Sequence, residues 1–509
     1  MKKSITRRDF LKLAGIVPLS VAAPRLVDTL VPVQQSGKAQ NVIVIVFDAF
    51  SAYNISLYGY QRETTPNIAR WAEQAVVYHN HFAGGNSTMP GTASLLTGTL
   101  PWKHRAFGLD KKMVEESFVE KNIFSAFQNH YRLSYTHNPV ANRLLTQFEK
   151  KTDEHIPLGR LYLAYDDFIN TIFNKDEDTA TVSWVRAMKN KEEGFAYSLF
   201  LSHLYGDYRN KIVTDLRSQY PDGLPYFAGD DYFLLEDAFD FLSDTVRAVP
   251  QPFIGYFHFL PPHAPYKTHK DFNNIFAHDG FQSPFKPPDL FSDNEGNGFL
   301  ANKRREYDQF ILYVDREFGR FMDKVEKSGL LENTWVILTS DHGEMFERGI
   351  RGHLTPVLYN PVVRVPLLIF VPGQKRRTNI YSNTSAVDVL PTLLHVTGHQ
   401  PANWSEGTVL PPFQPVDPEQ ERELYVLQAR RNAQYEPLTV STIVQVKGRY
   451  KLMYFFGYEE LSGKERIELY DIEKDPDELN DLYLPEKDVV TEMLGSVKAK
   501  LLEVNQPYL

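Results

Sequence analysis

Cysteine is missing from all 509 residues. Its absence excludes disulfides, thiolate metal sites, a cysteine nucleophile and a lipid anchor carried on cysteine. Positive charge is also in short supply. With 55 Lys and Arg against 64 Asp and Glu, the net charge is −9, so no basic surface argues for a nucleic-acid partner. No apolar run approaches the roughly 20 residues that a membrane-spanning helix needs, and no transmembrane segment is predicted. What is present, 42% hydrophobic and 13% aromatic residues, is enough for a large core and for two domains.

Residues 1–26 read as an address rather than as part of the fold. Lys2, Lys3, Arg7 and Arg8 form a basic start, and Arg7-Arg8-Asp9-Phe10-Leu11-Lys12 is a twin-arginine pattern. A short, mildly apolar run from Ala14 to Ala23 ends in small residues. The expected partner is the twin-arginine export machinery, and the expected location is the periplasm or cell envelope. An amphipathic first helix is the competing reading, and Pro18 in mid-run opposes it.

The stretch around which the chain is organised is AGGNSTMPGTASLLTGT, 83–99, centred on Thr88. Gly-rich residues lead in, Pro90 follows, and Ala93 to Thr97 read as a buried helix that starts at Thr88. Two roles for Thr88 fit. As a helix cap, its oxygen accepts from an orphan backbone N–H. As a nucleophile, its hydroxyl attacks an anionic ester held by the free N–H groups of the helix start. The choice depends on whether ligands and imidazoles elsewhere converge on it.

Candidates recur where buried strands end. NVIVIVF, 41–47, is the pattern of a parallel strand covered on both faces, and it ends on Asp48. Ligands of open α/β sheets collect outside the carboxyl ends of strands, although Asp after a strand is also an ordinary turn residue. LSYTHNP ends a strand near His137, and residues about 140–250 read as an insertion. FIGYFHF runs into Leu260-Pro261-Pro262-His263-Ala264-Pro265, where prolines set the direction of the His263 imidazole, whether for a site or for a rigid loop. TWVILTSDHGE places Asp341 and His342 side by side at a strand end, suitable ligands for a hard or borderline divalent cation, with His353 close in sequence. An amphipathic helix is predicted over 303–328, a Pro-rich linker over 400–422, and beyond it antiparallel strands with a final helix over 485–504. The expected organisation is a catalytic domain over 40–400 and a C-terminal antiparallel-sheet subdomain over 420–509.

Taken together, these residues resemble the sulfatase branch of the alkaline-phosphatase-like superfamily. The resemblance rests on the strand ending at Asp48, YGYQRETTPNI at 58–68, TASLLTG at 92–98, PPHAPY at 261–266, SDHGE at 340–344, RVPLLI at 364–369 and ELYDIEKDPDELNDL at 468–482. It implies an α/β fold, a large mostly parallel sheet flanked by helices, with a smaller C-terminal α+β domain. It implies one divalent metal ion (Ca, Mn, Mg or Zn) held by Asp48, Asp341 and His342. Thr88 then completes the metal site as nucleophile, and His263, His353 and His137 contact the ester oxygens.

Two departures bear on the chemistry. Sulfatases of this family carry Cys or Ser, then any residue, Pro, any residue and Arg, and oxidise the first to formylglycine. This chain has Thr88-Met89-Pro90-Gly91-Thr92, and Thr cannot give the aldehyde. Where many sulfatases place a second Asp ligand it has Ala49. A phosphorylated Thr is an ordinary intermediate that water or an alcohol resolves at phosphorus. A sulfated Thr lacks the exit that a formylglycine hydrate has. The expectation is therefore a metal-dependent hydrolase or transferase of phosphate or phosphonate (di)esters, on a small-molecule, glycan or lipid-headgroup substrate. The alternatives are a sulfuric ester hydrolase without formylglycine and an inactive glycan-binding homologue.

Overall fold

Strand β1 (Asn41–Phe47) is buried along its whole length, which requires helices on both faces of its sheet. In the computed structural model, which describes residues 39–108, 113–163, 210–229, 231–415 and 421–509, those helices are present. The twin-arginine stretch and the middle of the 140–250 stretch lie outside the described residues. The remaining strands of the large sheet are β2 (Val76–Phe82), β3 (Tyr131–Thr136), β4 (Glu154–His155), β5 (Phe253–Phe259), β6 (Thr334–Thr339), β9 (Leu367–Phe370) and β10 (Thr378–Ser385). They lie in the order β10-β2-β9-β6-β1-β5-β3-β4. Only β9 runs against its neighbours; the other pairs are parallel. The α/β class expected from the sequence is the one observed.

Alternation along β1 separates the two cores. Ile43, Ile45 and Phe47 face helices α1 (Pro66–Ala72), α4 (Leu235–Ala248) and α5 (Asn297–Lys327) through Ile68, Phe239 and Phe318. Val42, Val44 and Val46 face α2 (Thr88–Thr97), α3 (Pro139–Gln147) and α6 (Val389–Val396) through Leu95, Leu144 and Leu393. The helix expected over 303–328 starts earlier, at Asn297. Strand β10 was not foreseen, because its sequence TNIYSNTS at the sheet edge is mostly polar. Of the stretch taken for an insertion, α3 packs under the sheet and β4 pairs with β3, so its first residues belong to the main layer.

Strands β11 (Glu423–Gln428), β12 (Ser441–Lys447), β13 (Tyr450–Phe456) and β14 (Arg466–Asp471) form a second, antiparallel sheet, against which α7 (Lys487–Asn505) packs through Val490, Met493 and Val497. The sheet joins the larger unit where Leu427 N–H donates to Gly84 O at 3.2 Å. The Pro-rich stretch is no free linker: Leu410 and Phe413 are buried in the core, and Pro411 O accepts from the Tyr78 hydroxyl at 2.7 Å. Its apolar residues find more cover on the sheet than in solvent.

Helix α1 shows how tertiary contacts complete local signals. Thr65 precedes Pro66 at the start of this helix, but its side chain makes no capping bond. The cap comes from α5 instead. Asp315 accepts from Asn67 N–H (2.9 Å), Ile68 N–H (2.7 Å) and Asn67 Nδ2 (2.9 Å). Asp315→Ala leaves the buried Ile68 N–H and the half-buried Asn67 N–H unmet, and the expected loss is about 1–3 kcal/mol, measured as a lowered midpoint in urea. An unchanged midpoint would show that this inter-helix cap contributes nothing.

Candidate active site and metal centre

The register of the sheet brings the two aspartates together. β1 lies between β5 and β6, and Val46 stands opposite both His258 and Thr339. Asp48 and Asp341 therefore leave adjacent strands at the same edge, with His342 next in sequence. Asp48, Asp341 and His342 are all buried, and one ligand atom from each lies within 4.8 Å of the others. Asp48 Oδ1 and Asp341 Oδ2 have no hydrogen-bond partner. His342 Nδ1 lies 2.9 Å from Gly343 O and donates to it, which leaves the Nε2 lone pair 3.4 Å from Asp48 Oδ1 and 3.6 Å from Asp341 Oδ2. That is the tautomer a metal ligand needs. Burial opposes charge here, yet the Asp341 and Asp48 carboxylates lift the His342 imidazole to about 9, so near neutral pH Nε2 carries a proton that a bound cation would displace to use the lone pair. Burial, then Asp48, raises Asp341. Two lone carboxylate oxygens and an imidazole lone pair, all withdrawn from water, fit a divalent cation and fit little else.

The opposite oxygens are fully engaged. Asp341 Oδ1 accepts from His342 N–H (2.9 Å), Ala49 N–H (3.3 Å) and the Ser340 hydroxyl (3.4 Å). Asp48 Oδ2 accepts from His258 Nε2 at 3.1 Å and from Asn138 Nδ2. Neither His258 nor Asn138 was singled out from the sequence. Asn138 Oδ1 caps α3 through Val140 N–H (2.7 Å) and Ala141 N–H (3.3 Å), so the amide group is turned with its NH₂ toward Asp48. His258 sits one alternation from Tyr256, whose hydroxyl lies 3.1 Å from its Nδ1. The available signals were an Asn-Pro helix start beside His137 and a polar residue in an otherwise apolar strand.

Thr88 faces this cluster. Helix α2 begins at Thr88, so the cap position is Ser87, and no side-chain capping bond is made there. The capping role weighed for Thr88 is therefore not the one its hydroxyl takes. Thr88 Oγ1 lies 3.4 Å from Asp48 Oδ2 and 3.4 Å from His342 Nε2. Such proximity needs a bare backbone: a Cβ on Gly91 would come within 2.1 Å of Asp341 O. Gly84 is equally confined, since a Cβ there would meet Ser94 Oγ at 2.2 Å.

Hairpin strands β7 (Met345–Glu347) and β8 (Ile350–Gly352) return the chain from His342 to His353. Their turn uses positive φ at Arg348 (56°) and Gly349 (74°), as two-residue hairpin turns require. The His353 ring lies 4.1 Å from that of His342, and the His263 ring 5.2 Å from that of His353. His353 Nδ1 is 3.4 Å from both oxygens of Glu344. Burial, then His342, lowers His353 to about 4. His263 Nδ1 lies 2.6 Å from Ala264 O. His137 is not brought into this group's front. It is fully buried, its Nε2 accepts from Leu260 N–H at 2.8 Å, and its ring stacks on Phe233 at 4.1 Å. Burial holds it neutral, at about 3. The direct contact with ester oxygens foreseen for His137 is thus replaced by a tie between the ends of β3 and β5.

Comparison with known proteins settles the family. The sulfatase profile matches residues 40–399. The chain belongs to the sulfatase family. A second profile, N-sulphoglucosamine sulphohydrolase C-terminal, matches residues 355–507. This sulfatase-family chain is similar to the choline-sulfatase of Rhizobium meliloti, at 22% identity over 82% of this chain and 77% of that one. It is also similar to a multifunctional alkaline phosphatase superfamily protein of Trinickia caryophylli, at 23% identity over 87% and 91%. Its fold is similar to that of the phosphonate monoester hydrolase of Agrobacterium radiobacter, with a TM-score of 0.64 at 19% identity, covering 92% of this chain and 96% of that one.

Within this sulfatase-family site, Ala49 adopts φ 58°, an uncommon conformation for a residue with a Cβ. Tyr307 holds the turn: its hydroxyl donates to Ala49 O at 2.5 Å and accepts from Ser51 N–H at 2.9 Å. Asp341→Asn should abolish divalent-metal uptake, read by elemental analysis of the purified protein. It should also raise the unfolding temperature of the metal-free form, because it removes one of two apposed carboxylates. Metal retained at the wild-type level would refute the ligand assignment.

Proposed function

We propose that this sulfatase-family hydrolase uses the unmodified hydroxyl of Thr88 as nucleophile toward a phosphate or phosphonate (di)ester. The observation that carries the reading is the position of Thr88 Oγ1, at the start of α2 and 3.4 Å from both Asp48 Oδ2 and His342 Nε2, in a chain that has no cysteine. A divalent ion held by Asp48, Asp341 and His342 would lower the pKa of the hydroxyl and offset charge on the ester. Asp48 Oδ2 takes the Thr88 proton as the Thr88 oxygen bonds to phosphorus and the bond to the leaving alcohol breaks. His263, its Nδ1 committed to Ala264 O, supplies a proton to the departing oxygen from its other nitrogen. Attack by water at phosphorus, or by an acceptor alcohol, then breaks the bond to Thr88; Asp48 returns the proton to the Thr88 oxygen, and His263 takes the proton of the attacking oxygen and so regains its starting state, while His353 is kept neutral by burial. The free N–H groups of the α2 start hold the non-bridging oxygens.

A second reading is sulfate-ester hydrolysis by the same hydroxyl. The choline-sulfatase relative favours it, while the lack of any cysteine that could become formylglycine favours phosphorus. Incubation with an aryl phosphodiester should add a phosphoryl-containing mass increment to the peptide bearing an otherwise unmodified Thr88. Thr88→Ala should remove the increment and lower turnover by about 10⁴ or more, whereas Thr88→Ser should keep part of it. Full activity of Thr88→Ala would sink the nucleophile, and much faster turnover of sulfate esters would put the second reading in its place.

The same proposal places the enzyme in the periplasm or cell envelope, exported in folded form by the twin-arginine machinery. Replacing Arg7 and Arg8 together with Lys should hold the protein in the cytoplasm on fractionation, because the pair is recognised by a receptor and not by charge alone. Undiminished export of that variant would rule the route out.

A further inference from the structure

Beside His263 the surface opens into a cleft of about 310 Å³ whose walls include Tyr226, Phe227, Lys267, Lys303, Glu306 and Arg351. The cleft continues the line of imidazoles that leaves the metal cluster. The His353 ring is 4.1 Å from His342, the His263 ring 5.2 Å from His353, and the Phe227 ring 6.4 Å from His263, nearly parallel to it. Two of its cations ride on the same segments as the site imidazoles: Lys267 lies four residues after His263, and Arg351 two residues before His353.

The charge of the cleft runs against that of the protein. Three cations face one carboxylate there, in a chain of net charge −9. Glu306 is used by Lys303, at 2.7 Å. Among the described residues no carboxylate pairs with Lys267 or Arg351, and Arg351 is exposed. Arg351 and Lys303 both lie over the ring of Phe299, at 5.7 and 5.8 Å, which restrains them without neutralising them. Cations left unpaired beside aromatic walls, in a concave site that continues a reaction centre, form the polar and apolar halves of a ligand pocket.

We propose that this cleft is a second anion site, which selects substrates whose ring-bearing organic part carries a further carboxylate, sulfate or phosphate. The inference rests on the reading of the metal cluster as the place where the first anionic group binds. The ring lies along Tyr226 and Phe227, and the second anion meets Arg351 and Lys267. A substrate with one anionic group leaves both cations to water.

The test uses benzylphosphonate and 4-carboxybenzylphosphonate, whose carbon–phosphorus bonds are not esters, with binding to the metal-loaded full chain followed by calorimetry. The carboxylated probe should bind about tenfold more tightly, as one further charge-assisted contact allows, and the difference should shrink with added salt. In the double variant Lys267→Ala, Arg351→Ala the advantage should vanish while the affinity for benzylphosphonate is unchanged. Arg351→Lys should keep part of it, and circular dichroism checks that each variant is folded. Equal affinity of wild type for the two probes overturns the proposal, as does a parallel loss of both in the double variant or failure of either probe to bind. None of these readouts depends on Thr88, so a missing Thr88 adduct counts against the nucleophile and leaves the cleft to be decided by binding.

Discussion

Two carboxylates withdrawn from water at the ends of neighbouring strands are the constraint around which this protein is built. Asp48 and Asp341 each turn one oxygen to a set of donors and leave the other without any. In a low-dielectric interior this division is costly unless a cation fills the gap. The donors on the satisfied side include backbone N–H groups, the Ser340 hydroxyl, an amide and an imidazole, and the last two are each fixed by a further bond. Asn138 is held by the helix it caps, and His258 by Tyr256. Such doubly tied neighbours keep the two unsatisfied oxygens aimed at one point, which is what a metal site needs from its outer contacts.

Backbone detail follows from the same constraint. Helix α2 can put Thr88 over the cluster only because Gly91 lets its first turn lie against the Asp341 carbonyl. Gly343 allows a similar approach to Pro361 O, which an added Cβ would meet at 2.1 Å. The left-handed turn at Ala49 is held by Tyr307 from α5, so a helix in the core sets the conformation of the loop beside the ligands. Strain kept at a reaction centre by surrounding packing is a familiar compromise between stability and function.

Outward from the cluster, the environment grades from fixed to adaptable. His342 and His353 are buried, His263 half-buried, and the cations beyond them meet solvent. In the proposed reading, the buried end fixes geometry for bond making and the open end has room for differences between substrates.

Much of this was legible in the chain itself. Continuous β-branched runs announced the buried parallel strands, strand-end Asp48 and Asp341-His342 announced ligands, and the lack of cysteine removed whole classes of chemistry. Those features are local, because they depend on which side chains can be buried and which bonds they can form. The mostly polar edge strand β10, the cap that Asp315 lends to α1 and the packing of the Pro-rich stretch were hidden, since each relies on a partner far away in sequence. For the same reason the sequence does not mark His258 and Asn138, nor the tie that His137 makes to Leu260: all three are polar residues near strand ends, and only the order of β1, β3 and β5 decides which side chain meets Asp48. The residue types and their spacing thus determined the fold class and the ligand pair. The pairing of strands, which acts across more than two hundred residues, decided which polar groups complete the site and which merely hold it in place.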